Sequence, residues 1–151
     1  MIPRITLTDA PDDEAIKTIA TQISEFNLFG AGRSNEYRPL AVILSDPETA
    51  EPIGGLWGWT SFSFLHINLL FVPEQMRKLG IGRQLMEIAE EEAVQRGCRG
   101  AWLDTFSFQA RGFYERLGYI SFGCIEDYPP GHSRYFLKKT LPVALNSFHD
   151  Q

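Results

Sequence analysis

The chain has 151 residues, enough for one domain of ordinary size and too few for a second independent core. With 44% hydrophobic, 22% charged and 13% aromatic residues it has the composition of a folded globular protein, which excludes a disordered or low-complexity chain. A net charge of -5 argues against broad electrostatic binding to nucleic acid or to an anionic membrane.

The amino-terminal MIPRITLTDAPDD holds no apolar run of signal-peptide length, and the longest apolar stretch, 64–72, is interrupted by His66 and Asn68, so a cytoplasmic protein is expected. Arg4 to Leu7 alternates and predicts a short strand. Asp12 or Asp13 can cap a helix with apolar positions Ile16, Ile19, Ala20, Ile23 and Phe26, which is expected to end near Phe26. The following 27–39, with two Gly and one Pro, reads as a loop or a broken second helix. Leu40 to Leu44 and Ile53 to Thr60 flank a turn-rich 45–52 and predict a hairpin with a polar tip, and 64–72 predicts a third strand.

At that point the period changes. Ile81, Leu85, Ile88, Ala89 and Ala93 fall at helical spacing, with Arg96 and Gly97 as basic last turn and glycine stop. Ala101 to Thr105 predicts a short strand. Ala110, Phe113, Tyr114 and Leu117 mark a helix stopped by Gly118, and 120–125 and 133–141 predict two last strands. A strand, a full helix and another strand over 64–105 imply a right-handed parallel crossover, whose ligands sit at the strand C-termini beside the following helix start. Cys98 and Cys124 stand apart, with no CxxC and no nearby His, and so predict neither a disulfide scaffold nor a metal site.

Where the crossover helix begins stand Arg77, Lys78, Leu79, Gly80, Ile81, Gly82 and Arg83: three positive charges, two glycines and no acid. Glycine lets the backbone approach a phosphate, and the free N–H groups and dipole of a helix start favour an anion. The run is neither a Walker loop, which needs Gly-Lys-Ser/Thr, nor a Rossmann fingerprint, whose third Gly or Ala is replaced by Leu85. Taken alone, it is equally a glycine-containing turn with solvated Arg and Lys.

Its context carries a resemblance. Leu69-Leu70-Phe71-Val72-Pro73-Glu74-Gln75-Met76-Arg77-Lys78-Leu79-Gly80-Ile81-Gly82 and Ala110-Arg111-Gly112-Phe113-Tyr114-Glu115-Arg116-Leu117-Gly118-Tyr119 are similar to the two principal motifs of the GNAT superfamily of acetyl-CoA-dependent N-acetyltransferases. The segments 104–110 and 128–133 resemble a bacterial branch of small members. The order of elements agrees over roughly residues 3–141, which implies a single domain over 1–151 with a short tail from 142. The fold it implies is α/β (α+β): a central, mostly antiparallel sheet with a parallel, splayed β-α-β pair that holds the coenzyme.

The resemblance further implies a pantetheine arm bonded to backbone near Leu70, Phe71 and Val72, and a pyrophosphate on the amides of Arg77 to Arg83. Tyr114 is implied to lie near the thioester sulfur, as acid for the departing thiolate. Many members carry an Asn that contacts the pantetheine arm where this chain has Ser107, whose hydroxyl has a shorter reach. Acetyl-CoA is the expected cosubstrate, with no metal. The expected partner is a small-molecule or peptide amine, and a homodimer is compatible.

A lysine-like amine is protonated at pH 7, and deprotonating it costs roughly 4 to 5 kcal/mol, so a base or an ordered water chain is expected. His66 and Asn68 stand two apart on one strand and are expected on one face. In the family a carboxylate often occupies the position of Asn68. An amide accepts no proton, which makes His66 the candidate base, the alternative being a hydrogen-bonded sheet histidine. Trp57 and Trp59 share a strand face, either as packing, as a dimer face or as a substrate box. Tyr128 and His132 lie in the loop between the last strands, which in the family borders the acceptor site. The implied activity is acetyl transfer to a primary amine by direct attack in a ternary complex. The alternatives are a non-catalytic acyl-CoA sensor and a nucleotide-binding module, the latter lacking a magnesium-binding Ser/Thr.

Overall fold

A computed structural model of the protein describes residues 1–144, so the end of the expected tail, 145–151, lies outside the described residues. The chain forms two compact units, 1–35 and the rest. In the first, α1 (Asp13–Ala31) is capped by Asp12, whose carboxylate accepts the Glu14 N–H at 3.0 Å. The strand expected over 4–7 is absent, because alternation alone makes no strand where no ladder partner is engaged. The helix also runs more than a turn past Phe26. No proline interrupts 27–31, and the stop is Gly32 in the left-handed region at φ 69°.

The second unit holds β1 (Arg38–Ser45), β2 (Pro52–Ser61), β3 (Phe64–Phe71), α2 (Ile81–Gln95), β4 (Gly100–Phe106), α3 (Arg111–Arg116), β5 (Ile120–Glu126) and β6 (Ser133–Thr140). They build one six-stranded sheet in the order β1-β2-β3-β4-β6-β5, antiparallel except for the parallel pair β3 and β4. The expected crossover is therefore present. Leu85, Met86, Ala89 and Ala93 of α2 are buried against Leu56, Leu65, Ile67, Ala101, Leu103 and Leu137 of the sheet. Each of the Leu, Ile and Met side chains contributes about 1.5–3 kcal/mol of burial, and each alanine methyl less. Arg96 does more than close the helix. Its guanidinium donates to the carbonyls of Arg38 and Pro39 and to Thr60 Oγ1 at 3.1–3.2 Å, and so ties α2 to β1 and β2.

β3 and β4 pair only from Phe64 with Gly100 to Ile67 with Leu103, although β3 continues to Phe71 and β4 to Phe106. Beyond that point the two strands part. A bulge explains the bend: Gly58 pairs with Ile67 and Trp57 with Leu69, which leaves Asn68 as the extra residue. Gly58 is needed there, since a side chain would collide with the His66 carbonyl oxygen. The bulge also interrupts the alternation that was expected to put His66 and Asn68 on one face.

Candidate active site

From the end of β3 the chain passes Val72 and Pro73 into a 3-10 turn, Glu74–Met76, and reaches α2 through Gly80. Gly80 lies at φ 78°, where glycine avoids a penalty of roughly 1–2 kcal/mol, and the space where its side chain would stand is open. The first intrahelical bond is donated by Gln84 to Gly80 at 3.1 Å, which leaves the amides of Ile81, Gly82 and Arg83 outside the helix ladder. No acid stands in the first turn. Arg77 Nε donates to the Val72 carbonyl at 3.0 Å and pins the loop to the strand end. Lys78 also takes a positive φ, 72°, and Leu79 is exposed. Arg83 reaches the exposed Glu87 at 3.6 Å, a pair of little energetic weight. The loop thus joins Leu70, Phe71 and Val72 to Arg77 through Arg83. An acid-free helix start over an open glycine fits a phosphate-bearing ligand.

α3 approaches this loop from the side. An added methyl on Gly82 would meet the Phe113 ring, and Phe113 packs edge-on against Tyr114 with centroids 5.1 Å apart. Tyr114 is buried and also contacts Tyr119, whose hydroxyl donates to Glu90 of α2 at 3.1 Å. Burial, helped by the negative charge of Asp104, pushes the Tyr114 hydroxyl up to about 12, so it keeps its proton at neutral pH.

The other sheet face is aromatic. His66 lies stacked on Trp102 at 3.9 Å and against Trp59 at 4.6 Å, it is 7% exposed, and its Nδ1 has no hydrogen-bond partner among the described residues. Burial lowers its pKa, while Asp104 and the Trp102 backbone oppose that effect. Trp57 is more exposed and touches Trp59 edge-on at 6.5 Å; Asn68 is exposed at the bulge. Ser107 Oγ accepts the Ser133 N–H at 3.0 Å and lies 3.4 Å from His132 Nδ1, so this hydroxyl braces the turn between β5 and β6. In the same turn the Tyr128 hydroxyl accepts from Arg134 at 3.1 Å. Arg134 in turn pairs with Asp104 at 2.7 Å.

Asp104 and Arg134 escape sequence reasoning. They lie thirty residues apart and meet only through the register of β4 with β6, where Asp104 faces Phe136 and Phe106 faces Arg134. Both cysteines are free, Cys98 buried and Cys124 exposed. Among the described residues no group of His, Cys, Asp and Glu is arranged to hold a metal, and no helix is long and apolar enough to cross a membrane.

The model of the acetyltransferase (GNAT) family matches residues 7–119. The chain belongs to the GNAT acetyltransferase family. An acetyltransferase of Agrobacterium fabrum is 39% identical to this GNAT chain over 133 residues, covering 88% of the chain and 96% of the relative. Blasticidin-S acetyltransferase of Streptomyces morookaense is 41% identical over 109 residues, 70% of this chain and 80% of that one. A crystal structure from Agrobacterium tumefaciens superposes at a TM-score of 0.85 with 37% identity, covering 92% of this chain and 100% of the other. The mixed sheet with its one parallel pair is thus a GNAT sheet, as the resemblance implied.

Proposed function

We propose that the protein transfers an acetyl group from acetyl-CoA to a primary amine by direct attack in a ternary complex. The observation that carries this reading is the parting of β3 and β4 past Ile67 and Leu103, directly below an acid-free helix start over an open glycine. Acetyl-CoA supplies an activated acyl thioester. Its pyrophosphate suits the first-turn amides of α2, with Arg77 and Lys78 adding positive charge. Backbone of Leu70, Phe71 and Val72, unpaired with β4, is free to bond the pantetheine arm, and Ser107 borders the same opening.

Each side of the sheet has its task. Tyr114, protonated at neutral pH, serves as the acid for the departing thiolate by hydrogen-bonding its O–H to the sulfur as charge develops there, a modest demand for a thiol of ordinary acidity. A strand amide near Leu70 polarises the thioester carbonyl. His66 is neutral and has an unused Nδ1, but it is stacked between two indoles, so a proton from the amine reaches it only through water or another side chain. Trp57, Asn68, Tyr128 and His132 frame the acceptor side.

The acceptor class we favour is a small-molecule amine, with blasticidin S the first compound to test, since a relative of 41% identity is named for it. The experiment has two parts: calorimetry with coenzyme A, then free-thiol release from acetyl-CoA in the presence of blasticidin S, spermidine, aminoglycosides and a lysine peptide. Coenzyme binding with amine-dependent thiol release supports the reading, and binding with no release by any amine counts against it.

A further inference from the structure

On the sheet face away from α2 and α3, one carboxylate is held rigidly at the level where β3 and β4 separate. Asp104 is the first residue of β4 past Leu103, the last that pairs with β3. Arg134 Nε donates to Asp104 Oδ1 at 2.7 Å, and Nη2 lies 2.7 Å from the same oxygen as an ion pair. The guanidinium lies 5.1–5.6 Å from the ring centroids of Phe106, Tyr128 and Phe136, and its Nη1 donates to the Tyr128 hydroxyl. Every nitrogen of Arg134 is therefore engaged, and the cation cannot leave without losing ring contacts as well.

The carboxylate is only half used. Oδ2 of Asp104 accepts no hydrogen bond from a described residue, yet it is not sealed off, and the side chain keeps 19% of its exposure. A carboxylate has about four acceptor sites, so a fixed oxygen with spare capacity can receive a ligand's N–H. The placement says which ligand. Tyr114 stands on the helix-covered face and Asp104 on the opposite one, and the pairing of β3 with β4 stops at Leu103, so the opening between the strands begins between these two groups. A nucleophile that approaches from the aromatic face meets Asp104 on the way to that opening.

We propose that Asp104 is the acceptor-binding carboxylate, taking the ammonium of a cationic primary amine on Oδ2, with Arg134 as its positioning residue. This rests on the N-acetyltransferase reading above.

The test compares two variants that both break the ion pair. Asp104→Asn removes the charge, whereas Arg134→Gln keeps it. With whichever amine of the panel the wild type acetylates, Asp104→Asn raises KM for the amine about ten- to a hundredfold, the range of a lost charged hydrogen bond, and leaves KM for acetyl-CoA unchanged. Arg134→Gln raises the amine KM by a clearly smaller factor. If Asp104→Asn fails to fold, Asp104→Glu, which keeps the pair and displaces the carboxylate by one methylene, still raises the amine KM. Equal effects of the two pair-breaking variants on amine and acetyl-CoA KM would show a purely structural pair and overturn the proposal, as would an unchanged amine KM in Asp104→Asn. A wild type that binds coenzyme A but acetylates no amine defeats the N-acetyltransferase reading itself, an outcome distinct from these.

Discussion

An ideal methyl group on Gly82 would stand 3.2 Å from Cζ of Phe113, tighter than side chains normally pack, so the start of α2 and the neighbour of Tyr114 are in direct contact. Gly80, two residues earlier, has open space instead and is constrained by its φ of 78°. The two glycines are therefore expected to fail differently. Gly82→Ala pushes on the Phe113 ring, which must give by a few tenths of an ångström, and should lower both coenzyme affinity and turnover. Gly80→Ala strains only the loop and should weaken coenzyme A binding about tenfold with turnover at saturating acetyl-CoA nearly kept. Denaturant melts, calorimetry with coenzyme A and saturation kinetics on both variants check the contrast. Arg77→Ala should weaken binding less than Gly80→Ala, because the amides remain.

Tyr114→Phe keeps the ring that packs between Phe113 and Tyr119 and removes only the proton donor. Turnover should fall on the order of ten- to a hundredfold, with coenzyme affinity unchanged. Wild-type turnover in this variant would mean that water protonates the thiolate.

The same hydroxyl has a stability signature. Its pKa is raised to about 12 from an ordinary 10, so the folded state favours the protonated form, and the resulting stability is complete below pH 10 and lost as pH rises towards 12. Burial and the adjacent Glu90 raise Tyr119 as well, so it adds to the loss. Thermal melts across that window should show Tyr114→Phe losing less stability than wild type, by an amount on the order of 2 kcal/mol.

His66 gives the opposite limb. Its folded pKa lies below the ordinary histidine value because the ring is buried, so the stability it confers is present above about pH 6.5 and is lost as pH falls through the folded pKa. His66→Gln should flatten the acid limb of the melting curve. If His66 also relays the amine proton, an ionisation below that ordinary value disappears from the rate profile with a high-pKa amine, whereas a histidine that only packs leaves the rate profile intact.

These residues also show how far the sequence reaches. The spacing of Leu85, Ala89 and Ala93 reveals α2 because a helix periodicity is local, and the glycines and cations of 77–83 stand together in the chain. The unpaired Arg4 to Leu7 fails as a strand because pairing is not local, and α1 outruns Phe26 because its stop is the conformation of Gly32 rather than a loss of apolar period. The bulge at Asn68 is invisible because one extra residue shifts register without altering composition. Asp104 with Arg134, and Gly82 with Phe113, are contacts made only once the sheet and helices are assembled.

Acetyl transfer where β3 and β4 part has a stoichiometric signature. The most direct measurement is amine-dependent release of free thiol from acetyl-CoA, with the acetylated amine identified by mass spectrometry, in wild type and in Tyr114→Phe. One thiol is expected per acetylated amine, with the rate reduced about ten- to a hundredfold in the variant while coenzyme A binds both proteins equally. Release at the same rate in both proteins would take the acid role from Tyr114 alone, whereas coenzyme A binding with no thiol release by any amine would overturn acetyl transfer at this opening.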